Sequence, residues 1–347
     1  MNNLNFVLTG MTSLRYFIPL VIAAKKRNIT SVFYLANHNG KYNSVRLPEN
    51  LNYLMQMSTF LEIRFEEYSD INSSVGPVFQ IEGDGWEGSN TNSGKKIAIT
   101  YMSDYAMNGS YQKYIEKVDH VLFPSRKLAE AYNCKSPKNI YVGSPKYDFK
   151  MSSREEICKK YGLDSKDSFV LYAFPKIRDN NDVNTATIVN EVKKRGFKLI
   201  CKSRLKDTIP EKEKEYFDSI FYDVSWYPHT TMELLSISNF LINFESTTSK
   251  EAILLRKPIL DFKVKPSSNS TGERIATFRF LYDYAFYRNI NKDEINQENV
   301  SNAIDFLMNK NNTKQIQDSL SECIKNDFFE IKDTCNKILD IAFNVNQ

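Results

Sequence analysis

The run NFLINFESTTSKEAILLRKPILDF, residues 239–262, sets four small hydroxyl side chains, Ser246, Thr247, Thr248 and Ser249, between an apolar stretch and an amphipathic one. Such a cluster either caps the helix that follows or joins that helix's leading N–H groups in holding an anion. The stretch TGMTSLRY, residues 9–16, poses the same question. Gly10 can turn the chain there, and Ser13 stands before a helical pattern, as an anion ligand or as a simple cap. Four cations, Lys176, Arg178, Lys202 and Arg204, follow closely on two apolar runs. As a set they can neutralise phosphate, for which arginine offers paired contacts, or they are solvated surface charge. Neither G-x-G-x-x-G nor G-x-x-x-x-G-K-[ST] occurs, which argues against a standard dinucleotide site or P-loop.

The elements that must position these groups alternate. NFVL, SVFYLA, KIAITY, HVLFPS and NIYVGSP read as strands, with helical patterns such as LRYFIPLVIAAKKR and RKLAEAYN between them. After the polar helical stretch MSSREEICKKYGLDSKD a second series begins: FVLYAF, FKLICK, FLINF and PILDF as strands, with TATIVNEVKKRG, TTMELLSIS and SKEAILLRK as helices. The expectation is an α/β chain of two doubly wound Rossmann-like domains facing across a cleft: residues 1–150, residues 151–290, and carboxyl-terminal helices over 291–347 packing on both. Ligands of such sheets bind outside the carboxyl ends of the strands, where the hydroxyl run and the four cations fall.

Composition narrows the function. The 347 residues include 41% hydrophobic and 13% aromatic side chains, too many for a disordered chain. With 46 basic against 42 acidic residues the net charge is only +4, so bulk charge makes no demand for nucleic acid. The longest apolar stretches, such as YFIPLVIAA, are too short to span a bilayer, and no charged-then-apolar leader opens the sequence. A cytoplasmic location is expected, with peripheral attachment to the inner face of a membrane compatible with it. The five cysteines are scattered without a C-x-x-C pair, which points to reduced thiols rather than structural zinc or disulfides.

The blocks KVDHVLFPSRKLAEAYNCKSPKNIYVGSPKYD, FVLYAFPKIRDNND, KLICKSRLKD and MELLSISNFLINFESTTSKEAILLRKPILDF, in this order, resemble GT-B glycosyltransferases. Within that fold they are similar to the CDP-glycerol glycerophosphotransferase and surface-polysaccharide transferase group, and more distantly to UDP-N-acetylglucosamine 2-epimerase. One departure is plain: Arg204 stands where relatives often carry a histidine. The resemblance implies an acceptor-side first domain and a second domain that binds a nucleotide-activated donor. Ser246, Thr247, Thr248 and Ser249 would then grip the donor diphosphate or nucleotide. Glu251, one turn into the helix, would accept from ribose hydroxyls or simply steady the helix dipole. The donor is a substrate, so no cofactor is implied. The absence of D-x-D favours helix dipoles and cations over a bridging metal, so no metal site is expected.

Transfer to an acceptor hydroxyl needs a base, a leaving-group stabiliser, or both. Asp104, just after a predicted strand, is the first candidate for the base, ahead of Glu82 and Asp84 in the glycine-rich loop QIEGDGWEGSN. His38 follows a strand in LANHNGKYN and is the first domain's imidazole candidate. His229, ahead of a helix in WYPHTTMELL, either caps it or touches a nucleotide base or phosphate. The aromatic stretch ATFRFLYDYAFYRNI reads as interdomain packing or the wall of a donor pocket. The leading function is transfer of a sugar or polyol phosphate from a nucleotide-activated donor to a glycan or lipid-linked acceptor. The alternatives are a UDP-sugar 2-epimerase-like isomerase and a noncatalytic GT-B-like binding module.

Overall fold

Thirteen parallel strands carry the fold, in a computed structural model that describes residues 3–36, 44–82, 94–100, 110–131, 133–175, 183–204, 208–223, 226–264, 283–328 and 333–344. The chain divides into two compact units, residues 1–149 with 326–347, and residues 150–325.

The first unit holds β1 (Asn3–Leu8), β2 (Thr30–Leu35), β3 (Arg64–Glu67), β4 (Val78–Ile81), β5 (Lys96–Ile99), β6 (His120–Phe123) and β7 (Asn139–Tyr141). Their order in the sheet is β3-β2-β1-β4-β5-β6-β7, all parallel. Strands buried on both faces read as continuous apolar runs, and FVL within β1 is fully buried. Phe6 lies at its centre, with ring centroids 4.8 Å from Phe17, 4.9 Å from Phe33 and 5.7 Å from Phe79. Burying each such ring contributes on the order of 2–3 kcal/mol. The helix Leu14–Lys26 covers this cluster, its apolar residues buried and Lys25 and Lys26 placed in the last turn, where they suit the dipole.

The second unit holds β8 (Phe169–Ala173), β9 (Lys198–Lys202), β10 (Ser219–Phe221), β11 (Ser238–Asn243), β12 (Ile259–Lys263) and β13 (Tyr287–Asn291), in the order β10-β9-β8-β11-β12-β13. Its first helix, Arg154–Tyr161, opens on a capping box between Ser153 and Glu156 and stops at Gly162, whose φ of 66° a side chain would resist. Tyr172 packs 5.0 Å from both Phe217 and Phe244, and Phe244 stacks on Phe262 at 5.5 Å. β3, β4, β10 and β13 are additions to the strands read from the sequence. β13 uses the end of the aromatic stretch: Phe286, Tyr287 and Ile290 are buried in this unit's core, and residues 276–282 lie outside the described residues.

The carboxyl-terminal helices separate. Gln297–Met308 and Thr313–Cys323 belong to the second unit, whereas Thr334–Phe343 returns to the first. There Arg27 Nη1 meets Asp340 at 2.5 Å, Lys95 Nζ donates to the Ile341 carbonyl at 2.6 Å, and Cys335 N–H donates to Asp148 Oδ2 at 2.6 Å. All five cysteines are buried and unbonded to one another. Among the described residues no helix is long and apolar enough to cross a membrane.

Candidate functional site

Both sheets reverse their strand order at one point, between β1 and β4 in the first unit and between β8 and β11 in the second. A crevice opens outside the carboxyl ends of the strands at such a reversal. The hydroxyl run follows β11 directly and so sits at the second unit's reversal point.

The run is held from beneath. Asn243 ends β11 fully buried, and its Nδ2 donates to the Ser246 carbonyl at 3.1 Å and to Asp261 Oδ1 at 2.7 Å. Glu245 turns the chain at φ 48°, and its N–H reaches the same Asp261 oxygen at 3.0 Å. The Tyr287 hydroxyl donates to Asp261 Oδ2. Asp261 is thus a buried carboxylate that accepts from three donors in β11, β13 and the loop. Burial raises its pKa from 3.8 to about 6, against the opposing effect of the donors.

Above this brace, Ser246 Oγ lies 3.1 Å from Thr248 Oγ1 and accepts from Thr248 N–H at 3.4 Å. Ser249 is fully buried and donates its hydroxyl to the Ser246 carbonyl at 3.1 Å. Thr247 occupies the cap position of the helix Thr248–Leu254 without a side-chain capping bond. The four hydroxyls therefore divide: Ser249 is tied into the loop, while Ser246, Thr247 and Thr248 stay half-buried.

Beside the loop, four ionisable side chains from different elements meet in a chain. Lys202, the last residue of β9, pairs with Asp223 through Nζ and Oδ1 at 2.8 Å, both nearly buried. Asp223 Oδ1 also meets His229 Nε2 at 3.0 Å. His229 Nδ1 faces Glu251 Oε1 at 3.8 Å, where each side chain is 7% exposed. His229 also starts the helix Thr230–Ile237, its carbonyl accepting from the Met232 and Glu233 N–H groups. That helix is anchored further in by Glu233, a buried carboxylate that accepts from Lys160 Nζ at 2.7 Å and from the Tyr161 hydroxyl at 2.7 Å. Lys202 is thus compensated by Asp223 rather than standing as a bare cation, and Glu251 is a buried acceptor rather than a surface carboxylate. Arg204, half-buried, follows Ser203 just past the end of β9. The array offers carboxylate oxygens for ligand hydroxyls, and an imidazole with a carboxylate facing each ring nitrogen.

In the first unit, Gly10 lies buried after β1 with extended backbone, φ −163°, open to any residue, so the left-handed freedom of glycine is unused. Ser13 is buried, donates its N–H to the Gly10 carbonyl at 3.0 Å, and makes no side-chain cap. Glu82 follows β4 at φ 51°, 8% exposed, its N–H on the Ile99 carbonyl at 2.9 Å. Burial and the Glu82 charge together push the Cys134 thiol up to about 11 and raise the Tyr114 hydroxyl as well. Gly10, Ser13 and Glu82 thus flank the first unit's reversal point. His38, Asp84, Asp104, Lys176 and Arg178 lie outside the described residues. Among the described residues no group of three or more His, Cys, Asp or Glu is arranged to hold a metal ion.

Four residues of the site, Asp223, Asp261, Asn243 and Tyr287, escaped the sequence reading. Asp223 follows β10, whose three residues are too short for a periodic signal, although the pattern SIFYD ends on the carboxylate that mattered. Asp261 stood in plain view in PILDF, where an acid inside an apolar strand signals a buried acceptor.

No protein-family model matches the chain, and no curated protein does. Solved structures do match it. The wall teichoic acid polymerase TagF superposes with a TM-score of 0.67 at 13% identity, over 99% of this chain and 88% of that one. A protein described as a UDP-N-acetylglucosamine 2-epimerase from Listeria monocytogenes gives 0.65 at 13% identity, over 99% and 96%. HepE from Anabaena, in complex with UDP, gives 0.55 at 10% identity over the whole of both chains. At such identities the likeness is one of fold: the chain has the GT-B fold of two Rossmann-like units.

Proposed function

We propose that this protein transfers a sugar or polyol phosphate from a nucleotide-activated donor to a glycan or lipid-linked acceptor, in surface polysaccharide or glycoconjugate synthesis. The observation that carries the reading is the braced hydroxyl loop at the reversal point of the second sheet, with the buried Glu251 and His229 beside it. In this reading the half-buried Ser246, Thr247 and Thr248 hydrogen-bond the donor diphosphate, and Ser249 holds the loop in shape. Glu251 accepts from ribose hydroxyls. His229, fixed by Asp223, contacts the base or a phosphate. Lys176, Arg178 and Arg204 supply positive charge, while Lys202 acts mainly by holding Asp223 in place. Gly10 and Ser13, after β1 at the first unit's own reversal point, are kept in this reading as candidate anion contacts. Asp104 is the proposed base, with His38, Glu82 and Asp84 as its alternatives. The donor is the substrate, with no cofactor or metal, and the enzyme works in the cytoplasm, on the inner face of a membrane when its acceptor is lipid-linked. Among proteins of this fold, TagF was soaked with CDPG and HepE holds UDP, which supports a nucleotide-linked donor.

The test is a thermal-shift screen against CDP-, CMP-, UDP- and GDP-linked donors and their free nucleotides, beside the double variant Ser246→Ala, Thr247→Ala. A ligand that binds only the folded state raises the melting point by mass action, about 2.7 kcal/mol at a hundredfold excess over Kd. A shift with one nucleotide that the variant loses supports the reading and names the base. No shift at millimolar concentration turns the reading to a binding module. The epimerase likeness, as high in TM-score as some TagF structures, favours a second reading. Conversion of a UDP-sugar to its epimer without any acceptor would establish it.

A further inference from the structure

The amino end of the second sheet carries a cavity of about 320 Å³, within the second unit and away from the hydroxyl loop. Ser238 and Asn239 at the start of β11 and Pro258 just ahead of β12 line it, with residues of the helices Gln297–Met308 and Thr313–Cys323. β11 runs from this cavity to the hydroxyl loop, a distance of roughly 17 Å at the usual strand rise. The two places therefore lie at opposite ends of one sheet.

Three cations line the cavity, Arg154, Arg256 and Lys257, and no carboxylate among the described lining residues answers them. Arg154 is fixed. Its guanidinium donates to the carbonyls of Ser165, Asp167 and Ile237 and lies 5.3 Å over the Phe169 ring. All these partners are neutral, so its full charge stays at the site. Arg256, at φ 55° just past the helix Thr248–Leu254, is exposed and donates to Ser321 Oγ at 2.7 Å, again a neutral partner. Lys257 lies between these two in character. It is partly withdrawn from water, and burial together with the Arg154 charge holds its ammonium below the usual lysine range.

Surface lysines ordinarily escape such a position, because their flexible stems carry the charge out to water. A lysine kept partly buried beside an arginine, with no acid in contact among the described residues, carries a desolvation and repulsion cost that those residues leave uncompensated. An incoming anion removes that cost. Thr313, Asn239 and Gln317 add a hydroxyl and two amides at the same wall, and these give direction to anion oxygens. The volume sits at the low end of small-ligand sites and suits one compact phosphorylated molecule.

We propose that this cavity is a binding site for a small phosphate-bearing molecule, separate from the donor site, with Lys257 and Arg256 as its phosphate ligands and Arg154 as its fixed charge. The site is independent of the transferase reading, since none of its residues belongs to the hydroxyl loop or to the array around His229.

The experiment is calorimetric titration of the full chain with inorganic phosphate, pyrophosphate and glycerol 3-phosphate, against chloride at matched ionic strength. It is run in the wild type and in the double variant Ser246→Ala, Thr247→Ala. Saturable binding is expected in both, weakened about 10-fold or more by Lys257→Met and by the exposed Arg256→Gln. Tighter binding of glycerol 3-phosphate than of inorganic phosphate would identify an organic ester as the ligand, and the reverse order would identify the free ion. Lys257→Met is also expected to raise the melting temperature of the unliganded protein, because it removes a strained charge. The proposal is overturned if no phosphate compound binds more than chloride does, or if Lys257→Met and Arg256→Gln bind like the wild type. It is equally overturned if the loop variant alone abolishes all binding, since the signal would then belong to the donor site.

Discussion

The loops at the two reversal points follow the same strand order, yet they are held by different forces. After β1 the turn through Gly10 and Ser13 is closed by a backbone bond, Ser13 N–H to the Gly10 carbonyl, and leads straight into the helix that packs Phe17 against the apolar cluster around Phe6. After β11 the loop is held by side chains, with Asn243, the Glu245 N–H and Tyr287 all directed at the one carboxylate of Asp261. Apolar packing tolerates small adjustments, whereas a buried polar network must be complete, because each orphaned donor costs on the order of 1–3 kcal/mol. The second loop is consequently the more exactly shaped of the two, which suits it to recognise a ligand.

The largest effect expected from that difference is in Asp261→Ala. It removes the shared acceptor of three donors and should destabilise the second unit by roughly 3–5 kcal/mol in denaturant unfolding, with any nucleotide-induced thermal shift lost. An effect below about 1 kcal/mol would break the comparison. The next concerns pH. Asp261 holds its proton to about pH 6 when folded, against an ordinary value of 3.8, so folding takes up a proton between those limits. Its contribution to stability is therefore full below the lower value and is lost as pH rises through the upper one. Relative to Asp261→Asn, wild type should lose up to about 3 kcal/mol across that window, read from paired unfolding curves at stepped pH.

Smaller in stability but sharp in function is Glu251→Gln. Keeping the volume, it should move the melting temperature little while weakening nucleotide binding about 10-fold or more in titration. Equal affinity in the variant would remove Glu251 from the proposed donor site. Smallest of all is Ser13→Ala. Because the backbone closes its turn, unfolding should detect a change of about 1 kcal/mol or less. A loss as large as that from Asp261→Ala would show that the first loop depends on side chains too.

How much of this was legible in the sequence follows from what periodicity can register. Strands buried on both faces announce themselves, and so β1, β2, β8, β9, β11 and β12 were read close to their observed bounds. β3 reads RFEE and β10 only SIF, too polar or too short to separate from loop, and the neighbours that make them strands are remote in sequence. The hydroxyl run was found because Ser and Thr gather where a helix begins. Its brace was not, because Asn243, Asp261 and Tyr287 stand on three strands and meet only after the sheet has ordered them. The pairing of Lys202 with Asp223 was hidden in the same way: the lysine signals a cation, and its neutralisation depends on the adjacent strand.

The last helix, Thr334–Phe343, completes a unit begun more than three hundred residues earlier, after the chain has passed through the whole of the other. During synthesis the second unit can fold as soon as its own residues have emerged. The first must wait, with the surface of the helix Leu14–Lys26 that will receive this segment still bare and Arg27 without Asp340. The order of birth on the ribosome is thus the reverse of the order of completion.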